Sequence, residues 1–419
     1  MKPMGPLPPE FAAQRGGLTI AGQSFEHWIA LGRATPLFVY DMGVVAARIA
    51  RLRAAMPADL SVHYAVKANP CPPLVRAIAP LVDGLDIASA GELALVRAEA
   101  PERPVSFAGP GKRDTELEAA IAAGVTINLE SEGEAARALA IADRLGLRPR
   151  LAVRVNPDFE LRGSGMKMGG RPSPFGIDAA RVPALVRRLI AAGAEWRGFH
   201  IFGGSQALDA GAIIEAQART LELAARLARE SDAMPPLVNL GGGFGVPYFP
   251  GDAPLDVEAI GVALGEALAA RDPVLADTCF AIELGRWLVG ECGVYLTRIV
   301  DRKESGGQVF LVTDGGLHHQ LAASGNFGTV VRRNYPIAVA HRMGAPAEET
   351  VNVVGCLCTP LDRLGDQVAL PEARVGDVIA LFLAGAYGRS ASPNAFLGHP
   401  NPSEIVTGDA NVPNAIFTS

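Results

Sequence analysis

Ser61 to Pro70 reads SVHYAVKANP. Val62, Tyr64 and Val66 alternate with His63 and Ala65, the two-residue period of a strand, and Asn69-Pro70 closes the run as a turn. Lys67 is thereby placed where a buried strand runs out into a loop. An unpaired ammonium is costly to desolvate, so such a setting favours the neutral, nucleophilic amine. The alternative is a lysine that lays its stem on apolar surface and keeps its head in water.

The same texture recurs along the chain. After a first helix over Val44 to Met56 come eight short runs: VHYAVKA (62–68), GLDIAS (84–89), VSFAG (105–109), TINLES (126–131), LAVRVNP (151–157), GFHIFG (198–203), LVNLGG (237–242) and FAIELG (280–285). Between them, stretches such as Gly91 to Ala100, Asp114 to Ala123, Glu132 to Leu145 and Ala212 to Arg229 carry Ala, Leu, Glu and Arg at helical spacing. Parallel strands need crossover helices, so eight alternating pairs predict an α/β fold of the (β/α)8 TIM-barrel type; a doubly wound open sheet is the competing architecture. Barrel chemistry sits at the C-terminal ends of the strands. Here those ends are Lys67, Ser89, Gly109, Ser131, Asn156, His200, Gly241 to Gly243, and Glu283.

The barrel is expected over residues 36–285, with a C-terminal mainly β domain over 286–419 joined by an N-terminal piece, 1–35, too small to fold alone. In the second domain GVYLTRIVDRKESGGQVFLVTDGG holds two strand-like runs joined by a turn at Glu304 to Gly307; Val351 to Val354 and Val378 to Leu383 are further strands. A chain of 419 residues with 49% hydrophobic content and 20% charge has ample core material. Its net charge of −6 and pI near 5.7 argue against a nucleic-acid partner, which needs a basic stripe. The start, MKPMGPLPPEF, has no signal-peptide core, and the apolar run Val378 to Ala386 is too short to cross a membrane, so the expected location is cytoplasmic. Cys71, Cys279, Cys292, Cys356 and Cys358 have neither CxxC nor zinc-ligand spacing.

Several segments carry chemistry. The stretch NLGGGFGVP (239–247) is a strand followed by a glycine cluster, suited to close approach of an anion to backbone N–H groups, or to a tight barrel turn. Val246 replaces the third glycine of a dinucleotide fingerprint, and no Lys-Ser/Thr follows as in a Walker loop. Gly109-Pro-Gly-Lys112 is a weaker phosphate candidate, read here as a loop. Glu283 can hold a heterocyclic nitrogen protonated and Arg286 can grip a phosphate, unless the two form a rim salt bridge. His200 reads as a base, a stacking group or a satisfied core histidine. His318 and His319 are adjacent, are expected to point apart, and make a poor metal pair; no metal is expected. Cys358, in GCLCTP (355–360), can donate a proton from a loop tip or be a small buried hydrophobe. Tyr387 sits in GAYG (385–388), whose glycines suggest close backbone approach. Pyridoxal phosphate unifies these parts as cofactor: Lys67 for an imine, Gly241 to Gly243 and Arg286 for phosphate, Glu283 for the ring nitrogen, His200 for the ring face.

The chain resembles the fold type III pyridoxal-phosphate decarboxylases, the group of the diaminopimelate, ornithine and arginine decarboxylases, over nearly its whole length. The resemblance rests on YAVKAN (64–69), LDIASAGEL (85–93), HIFGGSQ (200–206), NLGGGFG (239–245), ELGR (283–286), DGG (314–316), GCLCTP and GAYG in this order. It implies an alanine-racemase-like barrel, a β domain, and a homodimer with active sites at the subunit interface. It further implies Lys67 as the Schiff-base lysine, His200 as the ring-stacking residue, and Ser205, Gly242, Gly243, Arg286 and Tyr387 as phosphate ligands. Glu283 is then the pyridinium partner, Asp86 an acidic residue near the cofactor, and Cys358 a proton donor lent by the neighbouring subunit.

The departures concern substrate. Diaminopimelate and ornithine enzymes of the resembled family follow the cysteine with an acidic residue that grips a distal ammonium; here Thr359 and Pro360 follow. MKMGG (166–170), GGGFGVPYF (241–249) and LGHPNPSEI (397–405) look closer to an exosortase-associated subgroup that includes a decarboxylase of glutamyl groups thioesterified to an acyl carrier protein. A tethered thioester is uncharged, so losing the acidic grip makes physical sense. An acidic carrier would want a basic rim, for which Arg162, Lys167, Arg171, Arg332 and Arg333 are candidates, with Thr359, Arg332 and Tyr387 near substrate. The competing readings are a decarboxylase of free diaminopimelate, an amino-acid racemase, and a non-catalytic cofactor-binding homologue.

Overall fold

The computed structural model describes residues 1–419 except 12, 15, 161–165, 168–171, 326–332, 409–413 and 419, and except the side chains of residues 14, 166 and 167. Eight parallel strands close into a barrel: β1 (Ser61–Ala65), β2 (Gly84–Ile87), β3 (Val105–Phe107), β4 (Thr126–Leu129), β5 (Arg150–Asn156), β6 (Glu195–Ile201), β7 (Leu237–Gly242) and β8 (Cys279–Leu284). Each strand pairs with the next in chain order, and β8 closes on β1 in the register Ala281 to Ser61 through Leu284 to Tyr64. The two-residue strand Ile177–Asp178 adds beside β5. The open-sheet alternative is thereby set aside.

Parallel strands covered on both faces read as nearly unbroken apolar runs, and β2 and β5 are buried along almost their full length. Two of the polar strand ends serve the helices that follow. Ser89 Oγ accepts from the Glu92 amide at 3.1 Å and Ser131 Oγ from the Glu134 amide at 3.0 Å, capping Ala90–Glu99 and Glu132–Leu145. Polarity at those two ends is therefore structural.

The second sheet is built on the long strand Gly293–Ser305. It turns through Gly306 and Gly307, both at positive φ, into Gln308–Thr313, which pairs in turn with Glu349–Val354 and then Arg363–Leu370. On its other edge lies Leu37–Tyr40, followed by Ser403–Val406. Leu37–Tyr40 corrects the expectation that the barrel unit starts at residue 36. This LFVY run is buried at every position because sheet covers both its edges, and those partners are far away in sequence. The chain crosses to the barrel at Asp41, whose carboxylate caps the helix Met42–Ala55 by accepting from Gly43 at 2.8 Å. The strands Arg363–Leu370 and Ser403–Val406 were not anticipated.

The two sheets are clasped where β1 ends. Asn69 Nδ2 donates to the Gly385 carbonyl at 2.9 Å, its Oδ1 accepts from the Cys71 amide at 3.1 Å, and the Tyr387 amide donates to the Ala68 carbonyl at 2.7 Å. Tyr64 adds a hydroxyl bond to the Asn69 carbonyl at 2.9 Å. Among the described residues no helix is long and apolar enough to cross a membrane. Replacing Asn69 by Ala removes two buried hydrogen bonds and should lower unfolding stability by about 2–3 kcal/mol. It should also speed amide exchange at Tyr387; unchanged exchange would mean that Asn69 does not hold the clasp.

Candidate functional site

Lys67 lies on a single 3-10 turn, Val66–Ala68, directly after β1. Its side chain is exposed, which corrects the expectation of a desolvated amine at a buried strand end: the turn lifts it out of the barrel wall. Nζ stands 5.8 Å from the Phe202 ring centroid. The chain has five lysines, Lys2, Lys67, Lys112, Lys167 and Lys303, and among the described side chains Lys67 alone lines the cleft at this end of the barrel. Ser205, Gly243, Glu283, Arg286 and Tyr387 line the same cleft. The structure thus brings six of the sequence candidates together.

Glu283 is the penultimate residue of β8 and is buried. Its Oε2 lies 2.7 Å from His200 Nε2 and accepts from Asn239 Nδ2 at 3.2 Å. Burial pushes this carboxyl up, but His200, then Lys67 and Arg154, outweigh it and hold the group well below the usual carboxylate range. The cleft thus contains a carboxylate that stays ionised. His200 and Gly242 are not among the residues that line this cleft, and His200 Nδ1 is buried with no partner among the described residues. At Gly242 a Cβ would lie 1.9 Å from the Glu283 carbonyl oxygen, so β7 and β8 can approach this closely only with glycine there.

Gly243 has φ +80, the left-handed region, and Ser205 Oγ is buried with no hydrogen-bond partner among the described residues. Arg286 heads the short helix Arg286–Val289, donates to the Tyr248 hydroxyl at 3.0 Å, and places its guanidinium carbon 4.7 Å from the Tyr387 ring centroid. Tyr387 holds φ +53, a strained value for a tyrosine that the clasp to Ala68 enforces. Gln206 staples the glycine loop by donating to the Val246 carbonyl at 2.6 Å and accepting from its amide at 3.2 Å. An orphaned hydroxyl, a side-chain-free backbone and a guanidinium suit a phosphate; an ionised carboxylate suits a protonated ring nitrogen. The residues present fit pyridoxal phosphate.

Other candidates lie elsewhere. Asp86 is inside the barrel, not in the cleft lining: it accepts from Ser106 Oγ, and its Oδ2 is 3.5 Å from His63 Nδ1. Lys112 is no phosphate ligand in this arrangement, being buried against Glu134 at 2.7 Å and the carbonyls of Gly109 and Asn128. Cys358 is exposed and Thr359 half-buried on the turn after Glu349–Val354, and neither lines the Lys67 cleft. Asp362 anchors that turn by accepting from the Leu317 amide at 2.7 Å and the Leu357 amide at 2.9 Å. Arg162, Arg171 and Arg332, and the side chain of Lys167, lie outside the described residues; Arg333 is exposed over the Phe249 ring at 4.1 Å.

Sequence reading missed Arg154, buried on β5. It pairs with Glu130 at 2.8 Å, and Glu130 also accepts from the Gly109 amide at 2.7 Å and the Gly176 amide at 2.7 Å. The signal was a lone cation inside LAVRVN.

The family described as "Pyridoxal-dependent decarboxylase, pyridoxal binding domain" matches residues 42–290, and the chain belongs to it. The chain is 38% identical over 381 residues to the L-glutamyl-[BtrI acyl-carrier protein] decarboxylase of Niallia circulans, covering 89% of this chain and 88% of that one. It is 30% identical over 410 residues to the diaminopimelate decarboxylase of Aquifex aeolicus, covering 95% and 92%. A crystal structure of the M. jannaschii diaminopimelate decarboxylase has the same fold, with a TM-score of 0.87 at 23% identity over 98% of this chain and 95% of that one. The protein is a pyridoxal-phosphate-dependent carboxy-lyase of the fold type III class.

Proposed function

We propose that this enzyme removes the α-carboxyl group of an aminoacyl unit carried as a thioester on an acyl carrier protein, with Lys67 as the residue that bonds to the cofactor. The observation that carries the reading is the convergence of Lys67, Ser205, Gly243, Glu283, Arg286 and Tyr387 on one cleft. Pyridoxal phosphate, when bound, supplies the sink for the electron pair left on the α-carbon as carbon dioxide departs. Ser205 Oγ, the Gly242-Gly243 backbone, Arg286 and Tyr387 would hold its phosphate; Glu283, kept ionised by its neighbours, would pair with the ring nitrogen. His200, whose Nε2 is 2.7 Å from Glu283, is the residue that would pack against the ring face. Lys67, on an exposed turn next to Phe202, would hold the cofactor through its amine.

The return of a proton to the α-carbon falls to Cys358. It is exposed and does not line its own chain's cleft, so it acts in the cleft of a second copy, and the working unit is a homodimer with shared sites. Thr359, beside it, is neutral, so it offers no anion to a distal ammonium. That favours a substrate with no distal charge, as a thioester-tethered glutamyl group is. The 38% identity to a decarboxylase named for such a substrate supports the same choice.

Carbon dioxide release should be seen with glutamate loaded on an acyl carrier protein and be at least about a hundredfold slower with free diaminopimelate, lysine, ornithine, arginine or glutamate. Comparable release from a free diamino acid would overturn the substrate assignment. Mixing inactive Lys67→Ala with inactive Cys358→Ala protein should restore about a quarter of wild-type activity, since half the dimers then carry one intact site. No recovery after confirmed subunit exchange would place Cys358 outside the neighbour's site.

A further inference from the structure

The β domain contains a second cluster of reactive side chains, apart from the residues that line the Lys67 cleft. One ligand atom from each of His318, Cys356 and His399 falls within 4.8 Å of the other two. The three come from separate segments: the turn after Gln308–Thr313, the turn after Glu349–Val354, and the loop before Ser403–Val406. Cys356 Sγ is 3.8 Å from both ring nitrogens of His399, and the His318 and His399 ring centroids are 5.2 Å apart.

His318 is fully buried at 0% exposure, yet neither ring nitrogen has a hydrogen-bond partner among the described residues. A buried imidazole without partners carries an uncompensated desolvation cost that a ligand would offset. Its neighbour His319 is different: Nδ1 meets the Tyr295 hydroxyl at 3.0 Å and Nε2 the Pro400 carbonyl at 3.1 Å. The expectation that the pair points apart is also corrected, since the two rings lie 3.7 Å apart, centre to centre. His319 is thus committed to the fold, and His318 is left for a ligand.

We propose that His318, Cys356 and His399 bind a zinc-class divalent ion. A thiolate with two imidazoles is a soft-to-borderline donor set suited to zinc. Bonds of about 2.0 Å to nitrogen and 2.3 Å to sulfur put tetrahedral N and S ligands about 3.5 Å apart, so Cys356 and His399 at 3.8 Å need a small contraction, and the three ligand atoms, within 4.8 Å of one another, close by at most about 1.5 Å. Binding forms the metal–sulfur bond and releases the thiol proton to solvent. Three protein ligands leave a fourth position for water.

Outer support is already built. Asp362 accepts from the amides of Leu317 and Leu357, the residues adjoining His318 and Cys356, so one buried carboxylate sets the spacing of two ligands. A Cβ at Gly316 or Gly355 would come within 2.2 Å or 2.3 Å of that carboxylate, so both turns close on it only as glycine. The ion would tie down the turn that carries Cys358 and Thr359, two and three residues beyond its sulfur ligand. It acts by positioning.

The test is a Zn2+ titration of the cofactor-loaded protein against a chromophoric chelator, with no turnover required. Wild type should bind one equivalent, and Cys356→Ser and His399→Asn should each weaken binding at least about a hundredfold, while Cys358→Ser should not. Absence of stoichiometric binding, or equal affinity in all variants, would overturn the site. Co2+ in the unaltered protein reads sulfur ligation directly through a thiolate-to-metal charge-transfer band, so the question stays decidable should a variant fail to fold. Lack of that band in a cobalt-loaded protein would also overturn it.

Discussion

The clasp at the end of β1 is the constraint on which the site depends. A pair of backbone-directed bonds, Asn69 to Gly385 and Tyr387 to Ala68, joins the barrel to the second sheet at the turn that bears Lys67. Tyr387 is held at positive φ by that junction, and its ring then stands over Arg286, at the head of the helix after β8. Strand ends from opposite sides of the sequence thus meet at one cleft. Loosening the junction would separate the residues of the two sheets while leaving each sheet intact.

Charge inside the barrel follows a related logic. Several ionisable side chains are buried, and each is matched: Glu283 with His200, Arg154 with Glu130, Lys112 with Glu134. Taking one partner from such a pair is costly, about 3–5 kcal/mol, because it strands the other charge. The pairs therefore fix one arrangement of the β5, β6 and β8 ends, and Glu283 remains an anion despite its burial. Beside this rigid floor, Lys67 stands exposed on a single turn.

Much of this was legible in the sequence because its causes are local. Short β-branched or aromatic runs alternate with stretches of helical period, and the eight barrel strands were read from that alternation. Lys67, Gly243, Glu283 and Arg286 stand at or just past the ends of barrel strands and were named by that position, Tyr387 by its glycine-flanked place after a strand of the second domain, and Ser205 by the family resemblance alone. What failed depended on distant partners. Leu37–Tyr40 precedes a helix in the same rhythm as a barrel unit, and only its pairing with Gly293–Leu296 and Ser403–Val406 reveals its sheet. Arg154 and Lys112 look like surface cations until Glu130 and Glu134 are seen beside them. Likewise His318, Cys356 and His399 have no common spacing, since three separate turns bring them together.

The central claim is that Lys67 alone carries the cofactor, and borohydride reduction of the loaded protein followed by peptide mapping addresses it directly. Reduction makes the lysine–cofactor bond permanent, so the pyridoxyl group should be found on the peptide containing Lys67, in one copy per chain. A label on any of the other four lysines, with Lys67 unmodified, would contradict the assignment and the site built around it.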